Sequence, residues 1–194
     1  MFSKTPPPSD AIEALKTKLA GLAPPARRTL APIPTRHPSL DQCIKGWAVP
    51  GLTEISGPLG SGRIQLCLPS IAHISQRSRI GVVDPLSQIY PPGWESMQLS
   101  QLLVVRPSPE RELWTAEQLA RSGCFPLIGL LSTTPLGRRA MRLLRAAEHG
   151  NCAVLIWNTQ SDLRIPSKLR IQMLGRQDNR LKIRLSLQQK EMWV

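Results

Sequence analysis

Short, continuously apolar segments alternate with amphipathic segments through the middle of the chain, and this alternation constrains the fold most. The apolar segments FPLIGLL (125–131) and CAVLIWN (152–158) each follow a helix-forming segment, SPERELWTAEQLARSG (108–123) and TPLGRRAMRLLRAAEHG (134–150). Strands that are apolar throughout belong to parallel sheets whose two faces are covered by helices. The sequence therefore predicts an α/β fold with a mainly parallel sheet flanked by helices.

Further segments extend this pattern in both directions. LTEISG (52–57), RIGVVD (79–84) and QLLVVR (101–106) predict strands, whereas RIQLCLPSIAHISQ (63–76) predicts a helix that Pro69 kinks. SLDQCIKG (39–46) and PPGWESM (91–97) predict short helical turns, and Ser108 is the expected cap of the 108–123 helix. Residues 168–188 read as two strands joined by a polar turn near Gln177–Asn179, which predicts an antiparallel hairpin at the sheet edge.

The N-terminal region divides from the rest by composition. Residues 1–36 predict a tethered helix and a Pro-rich linker, residues 37–187 the core domain and residues 188–194 a C-terminal tail. The helix carries an apolar stripe that must dock on its own domain, on a second copy or on another protein. The candidate docking residues are Ile12, Leu15 and Leu19 in this helix, together with Trp193 in the tail.

Charge and cysteine content limit the classes of function. The chain has 25 Lys and Arg against 13 Asp and Glu, a formal net charge of +12, which favours a nucleic acid or an acidic protein as a partner. The four cysteines form no CxxC pair, so we expect buried thiols in a reducing compartment and no metal site. No apolar run has membrane-spanning length and no signal peptide is evident, so we expect a cytoplasmic protein with no membrane partner.

The segment SGPLGSGRIQLCLPSIA (56–72) has the position of a phosphate loop, between a strand and a helix, but lacks two of its side chains. A working loop reads G-x-x-x-x-G-K-[ST], and here Gly57, Gly60, Ser61 and Gly62 are followed by Arg63 and Ile64. Arginine is no equivalent of the compact lysine charge, and isoleucine has no oxygen for Mg²⁺. These residues predict a vestigial phosphate loop.

The acidic residues that hydrolysis needs are missing as well. Ser132, Thr133 and Thr134 follow the apolar strand where a carboxylate would hold the magnesium shell, and Asp84 is followed by a proline and a leucine. We therefore predict a protein that is not an enzyme, with no catalytic residues, no metal and no required cofactor. Weak ATP or phosphate binding, and a glycine turn kept only for close packing, remain alternatives.

Two groups of cations are candidate contacts for DNA or an acidic partner. One group shares a face of a predicted helix, and the other alternates with apolar residues on one strand of the hairpin: Arg138, Arg142 and Arg145, and Arg180, Lys182 and Arg184. The alternative is a solvated surface that protects a sheet edge. Trp157 and Trp114 are both expected in the core.

Three segments carry a resemblance to a known family. SLDQCIKGWAVPGLTEISGPLGSGRIQL (39–66), ELWTAEQLARSG (112–123) and RRAMRLLRAAEHGN (138–151) resemble RecA-type recombinase cores and, more closely, the ImuA proteins of bacterial mutagenic repair cassettes. The resemblance covers roughly residues 37–187 and implies a RecA-like fold of the P-loop type. The lysine, hydroxyl and glutamate that act in the recombinases fall on Arg63, Ile64 and Leu86 here, so none of them carries over.

The resemblance also implies a function. ImuA-type proteins are SOS-regulated and act in translesion synthesis with ImuB, an inactive Y-family polymerase relative, and with an error-prone DnaE-type polymerase. It implies binding to these partners and to DNA, with self-association through the N-terminal helix. Two alternatives stay open: a SulA-like division inhibitor that binds FtsZ, and a weakly active RecA-type DNA-dependent ATPase.

Overall fold

One mixed sheet organises the protein. The computed structural model describes residues 30–94, 96–178, 180–186 and 190–194. Within these ranges eight strands form the sheet in the order β3-β2-β4-β5-β1-β6-β7-β8. The strands are β1 Gly51–Ser56, β2 Ile80–Val83, β3 Leu102–Val105, β4 Leu127–Leu131, β5 Ala153–Asn158, β6 Leu169–Gln177, β7 Arg180–Leu185 and β8 Lys190–Trp193.

Four α-helices and five 3₁₀ turns connect the strands in the described ranges. The α-helices are α1 Pro38–Ile44, α2 Leu68–Ser75, α3 Glu112–Arg121 and α4 Ala140–Gly150. The 3₁₀ turns are Gln65–Cys67, Pro91–Gly93, Leu99–Gln101, Pro109–Arg111 and Gly137–Arg139. Among the described residues no helix combines the length and apolar character of a membrane span.

The first six strands of the sheet order pair in parallel. β1 lies between β5 and β6, with Gly51 opposite Ala153 and Thr53 opposite Leu169. β2 and β4 continue the sheet beyond β5, and β3 forms its edge. β1, β2, β4 and β5 are buried along their whole length, because helices cover both sides of them. The predicted α/β class and the mainly parallel sheet are confirmed.

The antiparallel part of the sheet is larger than the sequence predicted. β6 and β7 form the expected hairpin, with a bulge between Met173 and Gly175. β8 then pairs antiparallel with β7, with Lys182 opposite Trp193. The sheet thus extends past residue 187, the predicted start of the tail. The reason is that Lys190–Trp193 pairs with the edge of β7 that would otherwise be open.

Two hydrophobic clusters lie on the two faces of the sheet. On one face α1 and α2 pack with residues such as Trp47, Ile71 and Trp157. On the other, α3 and α4 pack with Leu130 and Leu143. Gly129 on β4 lies directly against the Trp157 ring. A Cβ atom at this position would be 2.2 Å from the ring, so the tryptophan leaves no room for a side chain there. The expectation that Trp157 belongs to the core is confirmed.

Several local predictions need correction. The helix predicted over 63–76 is a 3₁₀ turn followed by α2, because Pro69 lies in the first turn of α2, where a missing N–H costs least. Ser108 precedes the Pro109–Arg111 turn without a side-chain cap bond. Trp114 is 56% exposed on α3, so its expected place in the core is wrong. The predicted N-terminal helix, with Ile12, Leu15 and Leu19, lies outside the described residues.

Candidate functional site at the glycine loop and the carboxyl ends of the strands

The glycine loop leaves β1 at the centre of the sheet and leads into α2. The Gly57 N–H donates to the Asn158 carbonyl at 3.1 Å, which ties the loop to β5, and the Ser61 N–H donates to the Pro58 carbonyl at 3.2 Å. Gly60 and Gly62 have φ angles of +77° and +90°, a backbone region that glycine adopts most readily. The loop is therefore a tight turn with two left-handed residues.

Two of the glycines are required by close packing on the hairpin. A Cβ atom on Gly62 would lie 2.5 Å from Leu181 Cδ2, and one on Gly57 would lie 2.7 Å from Met173 Cβ. A Cβ atom on Gly60 would meet nothing within 4 Å. The glycine pattern thus follows in large part from contact between this loop and β6 and β7, whatever the loop binds.

Arg63 is the unusual residue of the loop. Its side chain is only 9% exposed, and within the described residues its guanidinium has no hydrogen bond or ion pair. Burial lowers the pKa of the Arg63 guanidinium from its ordinary value. The guanidinium nitrogens have no partner among the described residues yet are not enclosed, so they face the adjoining cavity, where an anion could pair with them.

A cavity of about 550 Å³ opens beside Arg63. It is lined by Leu59, Gly60, Gly62, Arg63, Ile64, Gln65 and Gln88. The N–H groups of Gly60 and Gly62 have no acceptor among the described residues. Ile64, at the position of the metal-binding hydroxyl of a working loop, packs against the core cluster instead. The cavity thus offers N–H donors and a cation but no side-chain oxygen at the metal position.

Asp84, at the end of β2, has a structural task. Its side chain is fully buried, and its two oxygens accept hydrogen bonds from the Gln88 and Ile89 N–H groups, each at 2.9 Å. Arg106 Nε lies 3.8 Å from the same carboxylate. The carboxylate therefore holds the turn after β2 in shape and is not free to orient an attacking water.

Glu112 supplies a carboxylate at the end of β4 that the sequence did not predict there. Glu112 lies in the first turn of α3, is 2% exposed and accepts hydrogen bonds from Ser132 Oγ at 3.0 Å and from Thr133 Oγ1 at 2.6 Å. The Thr133 N–H also donates to it, at 3.0 Å. The signal for this contact is the run of hydroxyl residues after β4, because a buried carboxylate needs several donors.

Glu54, in the middle of β1, is the third buried carboxylate and was also missed. It is fully buried and accepts from Asn158 Nδ2 at 3.0 Å, Ser161 Oγ at 3.2 Å, the Asp162 N–H at 2.6 Å and Arg170 Nε at 3.0 Å. A charged residue inside the apolar strand LTEISG is the signal, because such a residue requires a buried partner. The network joins the middle of β1 to the carboxyl end of β5 and to the first residues of β6.

These three carboxylates determine the chemistry of the site. Glu54, Asp84 and Glu112 are buried and each accepts several hydrogen bonds from protein groups, so none is free to hold a metal-bound water or to act as a base. Within the described part of the chain no three His, Cys, Asp or Glu side chains come together as a metal site. The three carboxylates thus hold neighbouring parts of the fold together.

The first cation group lies on the exposed side of α4 and of the 3₁₀ turn that precedes it. Arg138, Arg142 and Arg145 are all exposed, while Ala140 and Leu143 between them are buried. Arg142 Nη2 lies 3.1 Å from Glu117 Oε2 on α3, and that carboxylate is almost fully buried. The structure thus brings these three cations to one surface and assigns one of them to an ion pair between helices.

The second cation group is partly neutralised. Arg180, Lys182 and Arg184 share one face of β7, opposite the buried Leu181, Ile183 and Leu185. Glu191 on β8 pairs with both Arg184 and Lys182. These two cations lower the pKa of the Glu191 carboxyl below its ordinary value, the Arg184 bond most. The hairpin therefore presents fewer free charges than its sequence suggests.

Trp193, a candidate docking residue, lies on β8. It is 37% exposed, and its carbonyl accepts a hydrogen bond from Ser39 Oγ at 3.4 Å.

The four cysteines differ in burial. Cys67 and Cys152 are buried, and burial raises the pKa of each thiol to about 12. Cys124 is exposed and Cys43 half-buried, so the expectation of buried thiols holds for two of the four cysteines.

The fold and the site together define an α/β protein with a mostly parallel sheet and a glycine loop whose surrounding carboxylates are engaged in structural contacts. No protein-family model matches the chain, and no curated protein matches it.

Proposed function

We propose that this chain is a non-catalytic, RecA-like accessory protein of SOS-induced mutagenic DNA repair, of the ImuA type. Its partners are an ImuB-like inactive Y-family polymerase relative and a DnaE-type error-prone polymerase, with DNA as a further ligand. The proposal starts from the resemblance of residues 37–187 and is supported by a parallel sheet with a glycine loop after its central strand.

The engagement of the buried carboxylates carries the proposal. Phosphoryl transfer needs a metal-holding oxygen and a group that orients water. Ile64 packs on the core, and Asp84 and Glu112 are saturated by protein donors. A protein whose glycine loop lacks these groups acts by binding other molecules on its surface, which suits an accessory protein that holds other proteins together.

A capture experiment tests the proposal. Immobilised full-length chain is expected to retain a purified ImuB-like protein, and deletion of residues 1–25 is expected to weaken this capture and self-association while the thermal unfolding of the core stays unchanged. Equal capture by the truncated and full-length chains removes the N-terminal helix from the proposal. Absence of capture by the full-length chain, or ATP turnover that Arg63→Ala abolishes, contradicts the proposed function itself.

A second candidate function is anion binding at the glycine loop, which is favoured by the position of Arg63 on the wall of the cavity, where its guanidinium has no partner among the described residues. The guanidinium and the free N–H groups of Gly60 and Gly62 suit a phosphate oxygen. Titration calorimetry with inorganic pyrophosphate is expected to give weak binding that Arg63→Ala removes and that Arg77→Ala, at an exposed position, leaves intact. Binding unchanged by Arg63→Ala eliminates this candidate.

A further inference from the structure

The outer surface of α3 and α4 exposes two large apolar side chains. Trp114 on α3 is 56% exposed and Met141 on α4 is 45% exposed. Neither is needed to cover the sheet, because Leu113 and Ala116 of α3 and Leu143 of α4 are buried there. A tryptophan in this position has a large apolar area in water and no task in the core.

The two side chains lie on neighbouring helices. α3 and α4 pack side by side, and an ion pair of 3.1 Å between the buried Glu117 of α3 and the exposed Arg142 of α4 joins them. Trp114 lies one helical turn before Glu117, and Met141 immediately precedes Arg142. Residues three apart share a helix face, so Trp114 lies on the same side of α3 as Glu117, and Met141 is the chain neighbour of Arg142; both therefore lie within one helical turn of this ion pair.

Unpaired cations surround the apolar residues on this surface. Arg138, in the 3₁₀ turn that leads into α4, is three residues before Met141, and Arg145 is four residues after it, so the three residues follow one side of this turn and of α4. Both arginines are exposed, and neither guanidinium has a hydrogen bond or an ion pair with another described residue. Arg121, on the last turn of α3, is exposed as well. The surface therefore combines tryptophan, methionine and arginine, the residue types that are enriched in protein interfaces.

The charge of the chain argues against its own segments as the occupant of this surface. Residues 1–29 contain five Lys and Arg against two Asp and Glu, so they share the sign of the surface. A second copy offers few free carboxylates. The engaged ones are Glu54, Asp84, Glu112 and Glu117, which are buried, and Asp41, Asp162 and Glu191, which hold hydrogen bonds or ion pairs.

We propose that the outer surface of α3 and α4 binds an acidic, amphipathic segment of a different protein. Trp114 and Met141 contact the apolar side of that segment, and Arg138 and Arg145 contact its carboxylates. A nucleic-acid backbone is the less suitable ligand, because phosphate contacts do not use the exposed tryptophan and methionine. The inference rests on the proposed function only in that the chain acts by binding, and it names the surface and the chemistry of the partner.

Fluorescence anisotropy with the full-length chain tests this inference. The probe is a labelled synthetic helix of about 20 residues with leucine and phenylalanine on one side and glutamate on the other, a length that spans about 30 Å. Two comparison ligands are the same peptide with glutamine in place of glutamate and a labelled single-stranded oligonucleotide. The variants are Arg138→Glu with Arg145→Glu, and Trp114→Ala; Arg142 stays in place because the buried Glu117 depends on it.

The acidic peptide is expected to bind, and each variant is expected to weaken its binding about tenfold, which corresponds to about 1.4 kcal/mol. The matched control Arg77→Glu with Arg79→Glu has the same charge change at exposed positions outside α3 and α4 and is expected to bind normally. Circular dichroism of each variant verifies that it is folded.

Three results overturn the inference: the wild-type chain binds the acidic peptide no better than the glutamine peptide, the variants bind it normally, or the surface binds only the oligonucleotide. The capture experiment with the ImuB-like protein distinguishes failure of this inference from failure of the proposed function. If the variant with Arg138→Glu and Arg145→Glu captures the ImuB-like protein as well as the wild type does, the surface of α3 and α4 does not bind that partner, and the proposed function stands. If the wild type captures nothing, the proposed function fails, and the peptide result still decides the inference.

Discussion

Glu54 allows a direct test of whether a buried carboxylate near the glycine loop is structural or catalytic. Its carboxylate accepts four hydrogen bonds, one of them from Arg170, whose side chain is 18% exposed. Replacing Glu54 by glutamine preserves the size of the side chain and removes its charge. The substitution leaves the Arg170 guanidinium without a counter-ion in a mostly buried position, which is strongly destabilising.

The expected loss is about 3 kcal/mol of unfolding free energy, the lower end of the 3–5 kcal/mol typical of a broken buried ion pair. The lower end applies because Arg170 also donates to the carbonyls of Leu163 and Ile165, which remain. For a chain of this size the melting temperature is expected to fall by about 6–12 °C. A carboxylate kept for catalysis behaves differently, since its removal usually leaves stability unchanged or raises it.

Urea denaturation followed by circular dichroism measures this loss. The double variant Glu54→Gln with Arg170→Met is expected to recover at least about 1 kcal/mol relative to Glu54→Gln alone, because the unpaired charge is gone. Arg77→Met serves as the control, since Arg77 is exposed. A loss below about 1 kcal/mol for Glu54→Gln, or no recovery in the double variant, refutes the structural assignment.

Three further predictions concern the loop, β8 and the thiols. Gly62→Ala is expected to cost at least about 2 kcal/mol in denaturant unfolding and Gly60→Ala about 1 kcal/mol, because only the first also meets a neighbouring side chain; equal costs contradict the packing argument. Glu191 has a lowered carboxyl pKa, so its contribution to β8 is present above the ordinary value of 4.5 and is lost as pH falls through the folded value. Amide exchange of β8, corrected for intrinsic rates, is expected to show this loss in the wild type and not in Glu191→Gln. Iodoacetamide is expected to label Cys124 rapidly and Cys67 only upon unfolding, because the buried thiol has a pKa of about 12; mass spectrometry after proteolysis checks the order.

The strands and helices were predictable because their signals are local. The continuous apolar segments and the amphipathic segments between them correspond to β4, β5, α3 and α4 with shifts of a few residues at their ends. The break before α2 was predictable only in part: Pro69 signalled a disturbance, but whether a helix bends or restarts depends on how the chain packs on the sheet.

The contacts of the candidate site were less predictable. Glu112 reads locally as an acidic residue at a helix start, yet its partners Ser132 and Thr133 lie 20 and 21 residues away. Glu54 is the one charged residue in the apolar segment LTEISG, and its ion-pair partner, Arg170, is 116 residues away in the chain. Such contacts depend on strand order, which periodicity does not specify.

Trp114 marks the limit of reasoning from amphipathicity. Its helix has a buried side and an exposed side, and the sequence placed the tryptophan on the wrong one because large apolar residues are usually buried. The small Ala116 and Ala120 take the positions against the sheet instead, since α3 packs closely there. The exposed Trp114 and the exposed arginines of the neighbouring helix form a candidate interface only because the fold packs α3 and α4 side by side.

The amino-acid sequence by itself determined the α/β class, the parallel core of the sheet, the hairpin and the loss of the lysine and hydroxyl from the glycine loop, because each depends on residues close together in the chain. The tertiary structure alone decided that β8 completes the sheet, that Arg63 lines a cavity beside the glycine loop and that the buried carboxylates are engaged. The physical reason is that burial and pairing of charges are set by neighbours distant in sequence, which only the packed sheet brings into contact.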